Sequence, residues 1–225
     1  MLSTAMEDYL KAIYVLQSEE GPPVATSAIA EYLEKTPPTV TSMMEKLADR
    51  GLIEREKYRG VELSEEGRTV ALEVIRHHRI VEAYLAEHLD YDWADVHEEA
   101  DTLEHHISEE LERRMAALLE DPETDPHGDP IPTESLEPVE ESGAARLAEF
   151  EEGDRVVVSR VPHRNQEELD YLSAAGITPG TELELIDVAP FGMVTVRLVE
   201  RGDEQSLPEE IAESIRVRDA VEELA

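Results

Sequence analysis

The sequence predicts a multidomain α+β chain: an N-terminal winged helix-turn-helix, an all-α middle and a small C-terminal β-barrel. Three observations predict it. Residues 4–63 read in the order helix, helix, turn, helix, hairpin. Two further helical stretches follow at 93–119, and then a run rich in proline. In the last third the apolar pattern changes to short β-branched runs punctuated by Gly153, Pro179-Gly180, Gly192 and Gly202. A chain of 225 residues with 40% hydrophobic side chains suits two or three small packed domains.

The first helix spans 4–18, with Met6, Leu10, Ile13 and Leu16 at helical spacing, and Gly21-Pro22-Pro23 ends it. Thr26 or Ser27 then caps a short helix, SAIAEYLEK, that turns Ile29, Ala30 and Leu33 inward. Pro37 and Pro38 suit the first turn of a third helix, where a missing N–H costs nothing. Val40, Met43, Met44 and Leu47 form its buried stripe, and Gly51 stops it. Two apolar–polar runs around Tyr58-Arg59-Gly60 predict a hairpin, and Ser64 caps a long helix to about His88. Helices at 93–106 and 108–119 precede residues 121–143, which hold five prolines and read as a linker or an ordered irregular connection. In the last third RVVVSRV, TELELIDVA, MVTVRLVE and ESIRVR read as strands, with one helix over 166–175 among them.

Composition excludes several chemistries. There is no cysteine, hence no disulfide, iron–sulfur cluster, thiolate zinc site or cysteine nucleophile. No run of 18 apolar residues is present, and the start MLSTAMEDYL lacks a basic leader, so a cytoplasmic protein with no membrane partner is expected. The 54 acidic against 20 basic side chains leave a net charge of −34. Acidity of this degree, with four lysines, suits a halophile, because a high-salt cytoplasm screens self-repulsion. Local charge then decides about partners. Over 46–60 the balance turns positive, with Lys46, Arg50, Arg55, Lys57 and Arg59 against Asp49, Glu54 and Glu56. This basic island covers the end of the third helix and the hairpin, the parts a winged module presents to DNA.

Six of the eight histidines fall between 77 and 106. His78 and Glu82, and His97 and Asp101, are four apart; Asp101, Glu104 and His105 are three and four apart. Such spacing stacks side chains on one helix face. Imidazole and carboxylate without thiolate suit Mn²⁺, Fe²⁺, Co²⁺ or Zn²⁺. With one residue in four acidic, a carboxylate one turn from a histidine is also common on a solvated helix face. HEEAD at 97–101 stops one residue short of the zinc-protease HExxH, with Asp101 in the second histidine's place, and nothing else resembles a substrate cleft.

AMEDYLKAIYVL, PPTVTSMMEKLADRGLIE, YRGVELSEEGR, VHEEADTLEHHIS and DPHGDPIP, in that order, resemble the diphtheria-toxin-repressor family of metal-dependent transcriptional regulators. MEDYL and LEHH are most similar to its manganese-transport-regulator branch. AAGITPGTELEL and APFGMVTVRL resemble its FeoA-type, SH3-like third domain. The resemblance implies a DNA-binding domain over 1–72, a helical metal-binding and dimerisation domain over 73–143, and an SH3-like domain over 144–225. It implies a primary metal site at Asp8, Asp101, Glu104 and His105, an ancillary site at His78, Glu82 and His97, and third-domain ligands near Asn165 and Glu168. Lys11 stands where the manganese branch has a carboxylate. Asp101 stands where iron-type members have cysteine and manganese-type members glutamate.

The expected function is a repressor of metal-uptake genes activated by Mn²⁺ or Fe²⁺, other divalent ions acting in vitro, that binds palindromic double-stranded operator DNA as a homodimer. A metal joining Asp8 on the first helix to ligands near residue 104 would favour one orientation of the reading head. Val70, Val74, His77 or His78, and Val81 along the long helix suit a dimer face. Thr36, Pro38, Thr39, Thr41 and Ser42 would reach DNA from the start of the third helix, with N-terminal capping the alternative role for Thr39 or Thr41. Lys46, Arg50, Lys57 and Arg59 would hold phosphates. Two other functions compete: a metal-independent winged-helix regulator, and a metallohydrolase, which would need an open coordination position beside a general base.

Overall fold

The computed structural model describes residues 2–56, 59–137, 144–162, 165–190 and 192–220. Along the chain run α1 (Thr4–Glu20), α2 (Thr26–Tyr32), α3 (Pro37–Asp49), β1 (Ile53–Glu56), β2 (Gly60–Leu63), α4 (Glu65–His88), α5 (Val96–Leu103) and α6 (Glu109–Leu118). Then come β3 (Ala145–Arg146), β4 (Arg155–Arg160), α7 (Gln166–Ala175), β5 (Glu182–Ala189), β6 (Met193–Leu198), β7 (Glu204–Pro208), α8 (Glu209–Ser214) and β8 (Arg216–Asp219). The chain divides into two compact units: Met1–His78 with Thr102–Glu112 and Ile131–Val139, and Arg79–Asp101 with Arg113–Pro130 and Glu140–Ala225.

The first unit contains the winged helix-turn-helix. Helix α1 buries Met6, Tyr9, Leu10, Ile13 and Leu16, and α3 buries Val40, Met44 and Leu47, with Ile29, Leu52, Ile53 and Val61 between them. Each large side chain fully buried here contributes about 1.5–3 kcal/mol relative to exposure. The wing is antiparallel, Ile53 opposite Leu63 and Glu56 opposite Gly60. Val24 exchanges two backbone hydrogen bonds of 2.9 Å with Val61 and so ties the α1–α2 connection to the wing. At Gly60, φ is +142° and a Cβ would lie 2.0 Å from the Val24 carbonyl oxygen, so only glycine fits. Ser64 caps α4 as expected, its Oγ accepting from Gly67 N at 3.0 Å. Helix α2 differs from expectation. It starts at Thr26 with Ala25 in the cap position, and it stops at Tyr32 because Glu34 turns to φ +52°. The stripe on α4 expected to form a dimer face also differs: Val74 and Val81 are 5% and 1% exposed, already buried within this chain.

The second unit carries an antiparallel six-stranded sheet in the order β3-β8-β4-β5-β6-β7. Alternate residues of the strands, among them Val156, Val158, Leu183, Leu185, Val194, Val196, Leu198 and Val217, meet Leu169 and Leu172 of α7 in one core. A register shift between Leu185 and Asp187 marks an irregularity in β5. Strand β7 and the two-residue β3 differ from the sequence reading, which has no strand there, and α8 occupies the front of the run ESIRVR that reads as a strand. EQSLP has no β-branched residue and ends in Pro208, which only an edge strand tolerates.

The proline-rich connection is ordered where it is described. Asp125 Oδ1 accepts the backbone N–H of His127 and of Asp129, each at 2.9 Å, closing an Asx-type turn. Gly128 sits at φ +90° with room for no Cβ, which would be 1.9 Å from the Ser159 carbonyl oxygen. Arg79 donates to the Pro130 carbonyl and to Asp129. Within the first unit Arg76 donates to the Pro132 carbonyl at 2.6 Å and pairs with Glu112 at 2.8 Å. Among the described residues no helix is long and apolar enough to cross a membrane.

Candidate metal centre

In the first unit α1 presents Glu7, Asp8 and Lys11 from adjacent positions on one face. The turn after α5 presents Glu104 and His105. One ligand atom each from Asp8, Glu104 and His105 lies within 4.8 Å of the others. His105 Nε2 is 2.8 Å from Asp8 Oδ1 and 3.2 Å from Glu104 Oε1. Its other ring nitrogen, Nδ1, is 2.7 Å from Glu7 Oε2. Glu104 is 2% exposed, and its second oxygen, Oε2, accepts from Lys11 Nζ at 2.7 Å and faces His78 Nδ1 at 2.5 Å. His77 Nδ1 lies 3.2 Å from the Glu104 carbonyl, which can only accept, so that nitrogen carries the proton and fixes the backbone there.

Two electrostatic consequences follow. Burial pushes the half-buried Asp8 carboxyl above the usual carboxylate range, and the His105 ring only partly opposes it. Burial would push Glu104 up as well, but the His78 hydrogen bond and the Lys11 charge together prevail and hold it below that range. The donor set therefore fits a divalent cation: two carboxylates and one imidazole nitrogen converge, with no sulfur.

The second unit holds another group. Glu82 of α4, 1% exposed, lies between two rings: Oε1 is 3.0 Å from His97 Nδ1 and Oε2 is 3.5 Å from His127 Nδ1. Ligand atoms of Glu82, Asp125 and His127 fall within 4.8 Å of one another, and all three residues are buried. His127 Nε2 lies 2.9 Å from the Trp93 carbonyl, so that nitrogen bears the proton when the ring is neutral and Nδ1 presents its lone pair toward Glu82. Burial, then the charges of Asp129 and Glu82, push the Asp125 carboxyl well up.

Of the primary set expected from sequence, Asp8, Glu104 and His105 come together; Asp101 lies in the second unit, half exposed, with its carboxylate 3.7 Å from His97 Nε2. Of the ancillary set, Glu82 and His97 are in contact, and His78 lies on Glu104 within the first unit. Asn165 and Glu168 form a helix start: Asn165 Oδ1 accepts from Glu167 N, and its Nδ2 donates to Glu168 Oε1 at 3.2 Å. Sequence reasoning missed Glu7, Asp125 and His127. The last two stand in DPHGDPIP, a stretch that carries the family resemblance but lies outside the histidine-rich segment. For Glu7 the sequence offers no signal, because its partner is 98 residues away.

On α3, burial of Val40, Met44 and Leu47 turns Thr36, Pro38, Thr39, Thr41, Ser42 and Lys46 to solvent. Thr39 Oγ1 meets Thr36 Oγ1 at 2.8 Å and Thr41 Oγ1 donates back to the Pro37 carbonyl, so neither threonine caps the helix. Arg50 and Arg59 are exposed, and Lys57 lies outside the described residues. Arg55 pairs with Glu45 at 3.9 Å on the surface.

Comparison with known proteins gives three family matches in chain order. They are the iron dependent repressor N-terminal DNA binding domain over residues 1–61, the iron dependent repressor metal binding and dimerisation domain over 64–133, and the FeoA domain over 145–219. The iron-dependent repressor IdeR of Mycobacterium tuberculosis is 33% identical over 222 residues, covering 94% of this chain and 95% of the relative. The chain belongs to the iron-dependent repressor family. The diphtheria toxin repressor of Corynebacterium efficiens is 34% identical, with 94% of each chain covered. A solved manganese-dependent transcriptional repressor in complex with manganese has a TM-score of 0.87 and 33% identity, covering 95% of this chain and 99% of its own. The repressor ScaR with bound Zn²⁺ has a TM-score of 0.80 and 32% identity, covering 95% of this chain and 99% of its own. This family of DNA-binding repressors leaves the metallohydrolase alternative without support.

Proposed function

We propose that this member is a metal-dependent repressor of metal-uptake genes, activated by Mn²⁺ or Fe²⁺, that acts in the cytoplasm and binds palindromic double-stranded operator DNA as a homodimer. One observation carries the reading: Asp8, on the first helix of the DNA-binding module, meets Glu104 and His105 from a segment almost a hundred residues later. When bound, a divalent ion supplies the positive charge that holds carboxylates from both segments together. Asp8 and Glu104 would contribute oxygens and His105 its Nε2, while the Glu7 carboxylate would accept a hydrogen bond from His105 Nδ1–H. The segments so joined hold α1 against the 102–106 turn and thereby favour one arrangement of the winged helix-turn-helix.

Oxygen-dominated donors reduce the advantage of later, softer metals, so Mn²⁺ and Fe²⁺ activate while Zn²⁺ binds and activates poorly. The buried group of Glu82, Asp125 and His127, with His97 beside Glu82, supports a second cation site remote in sequence from Asp8. For the reading face, Thr36, Pro38, Thr39, Thr41 and Ser42 meet the major groove, and Lys46, Arg50, Lys57 and Arg59 hold phosphates. Exposed Leu89, Tyr91 and Leu118 of the second unit, within the matched dimerisation domain, suit the homodimer contact better than the buried stripe of α4.

The variants Asp8→Ala and His105→Ala test this reading. Each substitution should remove Mn²⁺-activated DNA binding from a folded protein, and the double variant should add almost nothing further. Normal activation of Asp8→Ala beside a defective His105→Ala would show that no bridge exists.

A further inference from the structure

Lys11 is one helical step from Asp8, yet its amine points into the metal-fitting group. Lys11 Nζ is 2.7 Å from Glu104 Oε2 and 3.1 Å from His78 Nδ1. The Lys11 side chain is 19% exposed and the Glu104 side chain 2%. The two oxygens of Glu104 are thus divided. Oε1 faces His105 Nε2, on the side of Asp8, and Oε2 faces Lys11 and His78. A pair of ions bridged through both oxygens of this carboxylate would need Oε2, and the ammonium already holds it.

We propose that the Lys11 ammonium is a tethered cation standing in the place of a second divalent ion beside Glu104, so that the site of Asp8, Glu104 and His105 takes one ion and not a close pair. This rests on the metal-site reading above. The ammonium neutralises one buried carboxylate when no metal is bound and remains when the ion binds at the other oxygen. It repels a second cation at Oε2 and offers that cation no lone pair, since a protonated lysine is a donor only. Lys11 acts as a determinant of stoichiometry, not as a ligand.

The test uses the full chain, stripped with chelator and returned to Mn²⁺, with bound metal counted by equilibrium dialysis and ion coupling read by electron paramagnetic resonance. Wild type, Asp8→Ala, Lys11→Glu and Lys11→Gln are compared. Asp8→Ala should lose one ion per chain relative to wild type, and wild type should show no exchange-coupled manganese pair. Lys11→Glu should gain one ion per chain and acquire the coupled signal. Lys11→Gln, which removes charge and adds no carboxylate, should keep the wild-type count and bind its site ion about tenfold more tightly. A coupled pair in wild type that Asp8→Ala abolishes would overturn the proposal and leave the site standing, as would a Lys11→Glu count equal to wild type. Unchanged affinity in Lys11→Gln would do the same even if Lys11→Glu failed to fold. An Asp8→Ala chain as rich in Mn²⁺ as wild type would overturn the site reading and the proposal with it.

Discussion

His105 has one ring and two tasks, and Glu7 separates them. A neutral imidazole carries one N–H; placed on Nδ1 toward Glu7 at 2.7 Å, it leaves the Nε2 lone pair aimed at the Asp8 side. Such outer partners of a ligating histidine typically matter about 10–100-fold in metal affinity. Glu7→Ala should therefore weaken Mn²⁺ binding by that order in competition with a chelator, although Glu7 need touch no metal; an unaltered affinity would remove Glu7 from the account. Asp125 gives a second prediction. Its raised pKa means that ionisation costs more in the folded chain than in the unfolded one. The metal-free protein therefore loses stability as pH rises from the ordinary aspartate value of 3.8 through the raised folded value. Asp125→Asn keeps an oxygen for the His127 and Asp129 N–H groups and removes the charge. Urea melts in chelator should show that this pH slope flattens in the variant, and Mn²⁺ should stabilise it less than wild type. A slope as steep as that of wild type would contradict the buried-charge argument. At this scale Asp8, Glu104 and His105 were legible because a known motif fixes their positions. Glu7, Asp125 and His127 were not, since nothing in local spacing marks a contact made across most of the chain.

The elements were more legible than the contacts, for physical reasons. Within a helix Pro37 and Pro38 fit only the first turn, Ser64 is a favoured cap residue, and α3 alternates its faces with the helical period. Asn165 and Gly176 bracket α7 in the same way, with Gly176 at φ +72°. What escaped is what neighbours impose: β3 and β7 exist because β8 and β6 offer edges to pair with, and α8 follows Pro208 where the apolar pattern suggested strand. The exposed face of α3 with Arg50 and Arg59 carries the electrostatic prediction. Removing both arginines should weaken binding to all DNA sequences alike and lower the slope of log affinity against log salt by about 0.9 for each phosphate that is no longer neutralised. An unchanged slope would place the phosphate-binding groups elsewhere.

For the whole molecule, a chain of net charge −34 that binds a polyanion must confine its attraction to a small area, and the described basic residues of 46–60 supply one. Attraction so limited leaves binding dependent on the arrangement of the reading elements, which is where, on the proposed reading, a metal joining α1 to the 102–106 turn would act. The family match, and the meeting of Asp8, Glu104 and His105 at the positions it points to, support the central claim of the proposed function: DNA binding requires the ion. The most direct measurement is binding of the full-length protein to DNA from its own upstream region, at fixed salt, with Mn²⁺, with Fe²⁺ under anaerobic conditions, and with chelator. Tight, sequence-selective binding is expected with either ion, lost in chelator and regained when Mn²⁺ is restored. Equal binding in chelator and in Mn²⁺ would contradict it and leave a winged-helix regulator that needs no metal.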